Sequence, residues 1–339
     1  MFEYRCGVGA NKGEGMGFNE VYVTQTEDNE LGPKGSLVKI TDGRGLHKYA
    51  TMRNRYMKTL RAVDGSQLVF LATKGVPRTD GLENQHRMFR LKKTKHRFGF
   101  RFRHVPGPWI KHTDASCLEI ADVNNDGLDD IIICNKRVQF IFVQRRNGKW
   151  RRLRMPRIFT TKHWNNVRVS DVDGDGVNDL IVVTLKRGIS PKSNIFIFKG
   201  VGGRRLFNFK NPNPSRRLLD YSLPYPAPDL EVVDVNQDGI ADIYVVQTNM
   251  TRGNFCGPIQ QWNKTYFGTQ PPPEWTPDYD LAHDILFLGS ASGTFTSIEM
   301  NHSEPGCGGM VQRFGNNRTM ILAQGTMGHP GHNLLLQWG

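Results

Sequence analysis

Apolar and polar residues alternate along this chain in short runs, and no long stretch shows the 3.6-residue recurrence of a helix. The runs are rich in β-branched and aromatic residues and end at Gly, Asn, Asp and Ser, which predicts strands joined by tight turns. Thr59–Ala62 and Leu68–Ala72 flank one such turn, and Met88–Leu91 and Phe98–Arg103 form the next hairpin. Ile131–Cys134, Leu180–Val183 and Ile243–Val246 are continuous apolar strands. Each is followed by an aromatic-rich hairpin. The first joins Arg137–Gln144 to Lys149–Leu153 through Asn147-Gly148. The second joins Asn194–Lys199 to Leu206–Phe209 through Val201–Gly203, and the third joins Asp284–Leu288 to Thr294–Ile298 through Ser290–Gly293. Shorter strands are predicted at Asn19–Thr24 and Ser36–Ile40, and three more at Met310–Phe314, Thr319–Ala323 and Asn333–Gln337.

The three apolar strands share an upstream neighbour. Asp122-Val-Asn124-Asn-Asp126-Gly127-Leu128-Asp-Asp130 (loop 1) recurs as Asp171-Val-Asp173-Gly-Asp175-Gly176-Val177-Asn-Asp179 (loop 2). It recurs again as Asp234-Val-Asn236-Gln-Asp238-Gly239-Ile240-Ala-Asp242 (loop 3). Positions 1, 3, 5 and 9 carry side-chain oxygens, and position 6 is always Gly. A hard cation such as Ca²⁺ takes six to eight oxygens, and a tight loop with Gly at its bend supplies them. The carbonyls of Leu128, Val177 and Ile240 complete each donor set. An ordinary Asp/Asn/Gly turn does not account for Asp or Asn at 3, Asp at 5 and Asp at 9 in all three copies. Nor is this an EF-hand, which needs a bidentate Glu at position 12 and flanking helices; position 12 here is Ile133, Val182 or Val245, in mid-strand.

The loops resemble the FG-GAP (VCBS-type) repeat of integrin-α-like β-propellers, in which a calcium loop joins the first two strands of a blade. The loops begin 49 and then 63 residues apart, the size of a four-stranded blade. The expectation is an all-β chain folded as one β-propeller over residues 1–339, with six blades, or seven if some strands are too degenerate to read. The blades fall near 1–52, 53–108, 112–158, 163–210, 228–300 and, in part, 308–339, with up to three structural Ca²⁺ ions.

Charge shifts the picture outward. The formal net charge is +13, which suits polyanions such as anionic polysaccharide. No nucleic-acid-binding motif accompanies it, so no specific nucleic acid is expected. No apolar run is long enough for a membrane span, and no apolar segment follows Met1 as a signal peptide requires. Arg97–Arg103 and Lys149–Arg154 alternate as charged outer edges of a sheet, which protects against edge pairing.

Five cysteines are too few for a disulfide scaffold. A hairpin closing around 122–130 sets Cys117 opposite Asn135, so that the Cys117 and Cys134 thiols point apart. Cys256 and Cys307, in irregular segments, are a candidate pair.

If the metal loops occupy one end of the blades, the connections at the other end are the place for a ligand. The segment 249–283 is unusually long for a loop and carries Trp262, Tyr266 and Trp275. Shorter connections at that end add Trp109, His163, Trp164, Arg216, Arg217, Tyr221 and Tyr225. Such side chains concentrate binding energy when they gather on a surface, although they also pack loops onto a core. Asn249, Asn263, Asn301 and Asn317 fit the glycosylation pattern. His329-Pro-Gly-His332 has no acid or Cys nearby to complete a metal site.

The function these features imply is a non-enzymatic, calcium-stabilised extracellular or cell-surface module that binds a glycan or a protein. Alternatives are a scaffold subunit of a larger assembly and a polysaccharide-active enzyme on a propeller. No pair of carboxylates, nucleophile elbow or phosphate loop marks a catalytic site.

Overall fold

The computed structural model describes residues 22–24, 37–39, 54–73, 86–93, 100–108, 115–135, 139–154, 163–186, 192–203, 206–208, 217–225, 227, 229–247, 283–300, 306–314, 318–325 and 334–338. Every regular element among them is a β-strand. β1 (Tyr22–Thr24) pairs with β2 (Leu37–Lys39). The second sheet is β3 (Asn54–Arg61), β4 (Gln67–Thr73), β5 (Arg87–Lys93) and β6 (Phe100–Val105), in that order. The third is β7 (Ala115–Ala121), β8 (Asp130–Asn135), β9 (Gln139–Gln144) and β10 (Trp150–Arg154).

The fourth sheet runs β11 (His163–Ser170), β12 (Asp179–Lys186), β13 (Lys192–Phe198). A small hairpin, β14 (Gly200–Gly202) with β15 (Leu206–Phe207), interrupts it before the closing strand β16 (Arg217–Leu223). The fifth sheet is β17 (Asp229–Val233), β18 (Asp242–Val246), β19 (Ile285–Gly289) and β20 (Phe295–Glu299). β21 (Gly306–Phe314), β22 (Arg318–Gly325) and β23 (Leu334–Trp338) form a three-stranded sheet. All pairings are antiparallel between neighbours in this order.

The second strand of each repeat is apolar without interruption because both of its faces are covered. On β8, Ile131 and Ile133 pack with Leu60, Leu68, Phe70 and Met88 of the second sheet. Ile132 and Cys134 face the other way, into a cluster with Val167, Leu180, Val182, Phe196 and Phe198 of the fourth. β12 repeats the device: Ile181 and Val183 join Ile243, Val245, Ile285 and Phe287 of the fifth sheet. The first strands of successive sheets lie side by side, β3 by β7, β7 by β11, β11 by β17 and β17 by β21. Sheets therefore stack face to face in chain order around a line of first strands, a propeller-like arrangement.

Several expectations are corrected. The closing strand of the fourth sheet is Arg217–Leu223, not Leu206–Phe209. Leu206 and Phe207 are buried, but as a hairpin that caps the core between the third and fourth sheets. Tyr221, expected in a surface connection, instead stacks edge-on against Phe287, with ring centroids 5.1 Å apart. The last correction is one of register. Position 9 of the loop is already the first residue of β8, so Asp130 pairs with Ala121 and Cys117 pairs with Cys134. A slip of one residue changes which side chains share a face. Cys117 and Cys134 share one, 4.9 Å apart at Cα, and are joined as a disulfide.

Candidate functional site

Each loop is closed first by its own acids. In loop 1 the Asp122 carboxylate accepts the amides of Asn124, Asp126 and Gly127 at 3.2, 3.1 and 2.7 Å. Asn124 Oδ1 accepts the Asp126 amide and Asp126 Oδ1 accepts that of Leu128, at 3.1 and 3.0 Å. Loop 3 repeats the pattern at Asp234, Asn236 and Asp238. The backbone is left-handed at position 6, with φ of 83°, 81° and 89° at Gly127, Gly176 and Gly239. It is left-handed also at position 4, where Asn125, Gly174 and Gln237 stand. The Val at position 2 is buried in every copy and anchors the loop to the core.

Position 9 has a second task. Asp130, Asp179 and Asp242 are fully buried. One oxygen accepts the amide of Val123, Val172 or Val235, at 3.1, 3.1 and 2.7 Å. The other accepts the amide of Gln144, Gly200 or Gly289, at the end of the third strand or just beyond it, at 2.7, 2.7 and 2.9 Å. These carboxylates fasten loop, second strand and third strand together. Burial pushes the Asp130 carboxyl up to about 7 and that of Asp179 up to about 6; Asp242 is raised by the same cause.

The loops touch one another. Asn125 of loop 1 donates to the Gly176 carbonyl of loop 2 (2.9 Å) and accepts the Asn178 amide (3.2 Å). The Asn178 side chain donates to the Asp122 carbonyl at 2.8 Å. On the other side, the Ile240 methyl of loop 3 lies where a Cβ on Gly174 would stand 2.8 Å away. Loop 2 is thus wedged between loops 1 and 3. The hairpin tip joins them, with the Gly203 amide donating to the Asn124 carbonyl at 3.0 Å.

The donor sets of loops 1 and 3 fit a hard cation: they are oxygen-rich and exposed at positions 4 to 6. In loop 2, Asp171, Asp173 and Asp179 each bring an oxygen within 4.8 Å of the others. Here a cation of the protein's own intervenes. The Lys199 ammonium donates to Asp173 Oδ2, and at 2.8 Å to Asp175 Oδ2. Those bonds hold the Lys199 ammonium above its ordinary range and Asp175 below the usual carboxylate range.

A further cluster was missed by the reading of the sequence. Lys58, Glu119, Arg168 and Glu231 lie on β3, β7, β11 and β17, opposite Phe70, Ile132, Ile181 and Tyr244. They occupy one level of four neighbouring first strands, and their charges alternate in sign. Lys58 pairs with Glu119 at 2.6 Å, Arg168 with Glu119 at 3.6 Å and with Glu231 at 3.1 Å. Asp229 adds a contact to Arg168 at 3.4 Å. Burial pushes the Glu231 carboxyl up, against the pull of Arg168. The signal was present: Glu119, Arg168 and Glu231 each stand three residues before the loop's first Asp.

Of the residues expected at the opposite end, Trp164 is a core residue, wholly buried among Cys117, Cys134, Val167 and Leu180. It is not a surface ligand contact. Tyr225 is half-buried in the β16–β17 connection, its amide donating to Gln247 Oε1 at the end of β18 (3.1 Å). His163 opens β11, and its side chain lies outside the description. Trp109, Trp262, Tyr266, Trp275, Asn249, Asn263, Asn301, Asn317 and the Cys256–Cys307 pairing also fall outside the described residues or side chains.

Residues 122–182 match the family model of the FG-GAP-like repeat. The segment from the start of loop 1 through β12's first residues is therefore an FG-GAP-like repeat. No curated protein matches the chain at a significant level. Among solved structures, the chain is similar to BBS1N in complex with ARL6DN, soaked with mercury. Identity is 11% and the TM-score 0.38, over 84% of this chain and 66%, just under two thirds, of that one. A second crystal of the same complex, soaked with lead, matches at 8% identity and a TM-score of 0.36, over 90% of this chain and 84% of that one. No helix among the described residues is long and apolar enough to cross a membrane.

Proposed function

We propose that the chain is a non-enzymatic binding module, a β-propeller of about six blades whose loops are stabilised by calcium. Its ligand is a glycan or a protein, bound at the end of the blades away from the loops, outside the cell or on its surface. The observation that carries this reading is the row of three touching loops, each with oxygen donors at the same positions and the same buried clamp. Asp122, Asn124, Asp126, the Leu128 carbonyl and Asp130 would hold the ion of loop 1, and their counterparts in loop 3 a second. Bound calcium would neutralise carboxylates that otherwise repel one another and would fix the turns; it takes part in no reaction. The Cys117–Cys134 disulfide supports an oxidising compartment. The half-buried Tyr225 and the aromatic composition of 249–283 support a contact surface at the opposite end.

Thermal unfolding with calcium and with EDTA tests the reading. At tenfold excess over Kd each ion adds about 1.4 kcal/mol to stability. Over a chain of this length that raises Tm by about 2 °C per ion. An identical Tm in millimolar calcium and in EDTA would remove calcium from the account.

A further inference from the structure

Lys199 immediately precedes Gly200, whose amide is clamped by Asp179, so the lysine is set at the mouth of loop 2 by the same bond that closes the repeat. The corresponding residues of the other repeats precede Gln144 and Gly289; they are Val143 and Leu288, which carry no charge. Position 3 differs in the same repeat. Loops 1 and 3 have Asn124 and Asn236 there, whereas loop 2 has Asp173. The repeat with the extra cation is thus the repeat with the extra carboxylate. Asp173 is 8% exposed, and a carboxylate so placed requires a partner. The Lys199 ammonium provides it, and reaches Asp175 as well. These are positions 3 and 5, two of the donors an ion in loop 2 would need. The turn at Gly293 closes the other side, its Cβ direction ending 3.4 Å from Asp173 Cβ.

We infer that Lys199 is a tethered cation that fills loop 2 in place of a metal, so that the chain binds calcium in loops 1 and 3 and holds loop 2 shut without it. The inference rests on the calcium reading of those two loops. A tethered group competes at an effective concentration of millimolar or more, which matches the calcium levels at which weak extracellular sites fill. It is also independent of supply. The central loop of the row, braced on both neighbours, then keeps its shape when calcium is scarce.

Ions bound per chain at saturating calcium chloride, counted by native mass spectrometry on the full chain, test this. Wild type is expected to bind two ions, Lys199→Met three, and Lys199→Arg, which keeps the cation, two. Lys199→Gln serves in place of Lys199→Met if the latter fails to fold by circular dichroism. The same number of ions on wild type and on the neutral variant overturns the inference. If that shared number is zero, the calcium reading of loops 1 and 3 falls with it; if it is two or three, that reading stands. One ion gained by the neutral variant from a wild type that binds none supports the role of Lys199 and removes loops 1 and 3 as calcium sites.

Discussion

Replacing Arg168 by Met is the sharpest test of how the sheets are held in order. Its guanidinium lies among three carboxylates from two other sheets: Glu119 of the third, and Asp229 and Glu231 of the fifth. It also donates to Asn166 Oδ1 at 2.7 Å and to the Val167 carbonyl at 3.0 Å. Met keeps most of the aliphatic stem and removes the charge. Breaking a fully buried pair costs about 3–5 kcal/mol, because a charge is left without its partner; an exposed pair costs about 0–1. This cluster lies between those limits, with side-chain exposures of 19% for Arg168, 10% for Glu119, 25% for Asp229 and 30% for Glu231. The expected loss is about 2–3 kcal/mol. With an unfolding entropy of about 0.7 kcal/mol/K for a chain this long, Tm falls by about 3–4 °C. Burial already raises the Glu231 carboxyl, and without Arg168 it rises further. The deficit should therefore shrink as pH is lowered from 7 to 5 and the orphaned Glu231 carboxyl takes up a proton. Urea unfolding of wild type and variant at both pH values reads this directly. A loss below about 0.5 kcal/mol at pH 7, or one that does not change with pH, would refute the reasoning.

Two glycines in the same system separate backbone strain from collision. A Cβ on Gly239 meets nothing within 4 Å, so Gly239→Ala costs only its left-handed φ of 89°, about 1–2 kcal/mol. A Cβ on Gly200 would stand 2.2 Å from the Asn178 carbonyl, so Gly200→Ala must open the Asp179 clamp and should cost about 3 kcal/mol or more; equal losses in chemical denaturation would contradict this. Burial pushes His86 down to about 4. Protonation is thus disfavoured in the folded state, and stability present above the ordinary histidine range near 6.5 is lost as pH falls toward 4, by about 3 kcal/mol in all. His86→Gln should flatten that decline, and an unchanged pH profile would dismiss the histidine as its source.

The sequence exposed the strands and the loops because repetition averaged out local accident: Asp at 1, 5 and 9 with Asp or Asn at 3, then four apolar residues, three times over. Where one copy departed from the others, inference failed. Leu206–Phe209 follows a glycine turn and alternates as a closing strand should, but an inserted hairpin claims its first two residues and the true strand begins at Arg217. The cysteine register turned on whether Asp130 ends the loop or starts the strand, and it starts the strand. Trp164 looked like a surface aromatic because it was assigned to a connection between blades, yet the β11 bulge between Trp164 and Asn166 accompanies its burial in the core. The ion-pair chain stayed hidden because one charged residue on a strand reads as an ordinary outward position; its meaning lies in partners about 50 to 60 residues away.

The double-sided burial of β8 and β12 bears on how the chain comes off the ribosome. A sheet whose second strand is Ile131–Cys134 has one apolar flank covered by the segment made before it, but the other stays wet until Trp164, Val167 and Leu180 have been synthesised. No nascent sheet in this stretch can finish alone. Each must wait, sticky on its leading side, for its successor, and the interval of greatest exposure is set by the longest spacer, the residues between Val246 and Ile285 that delay completion of the fifth sheet. Slowing translation there should favour chaperone capture over misassembly.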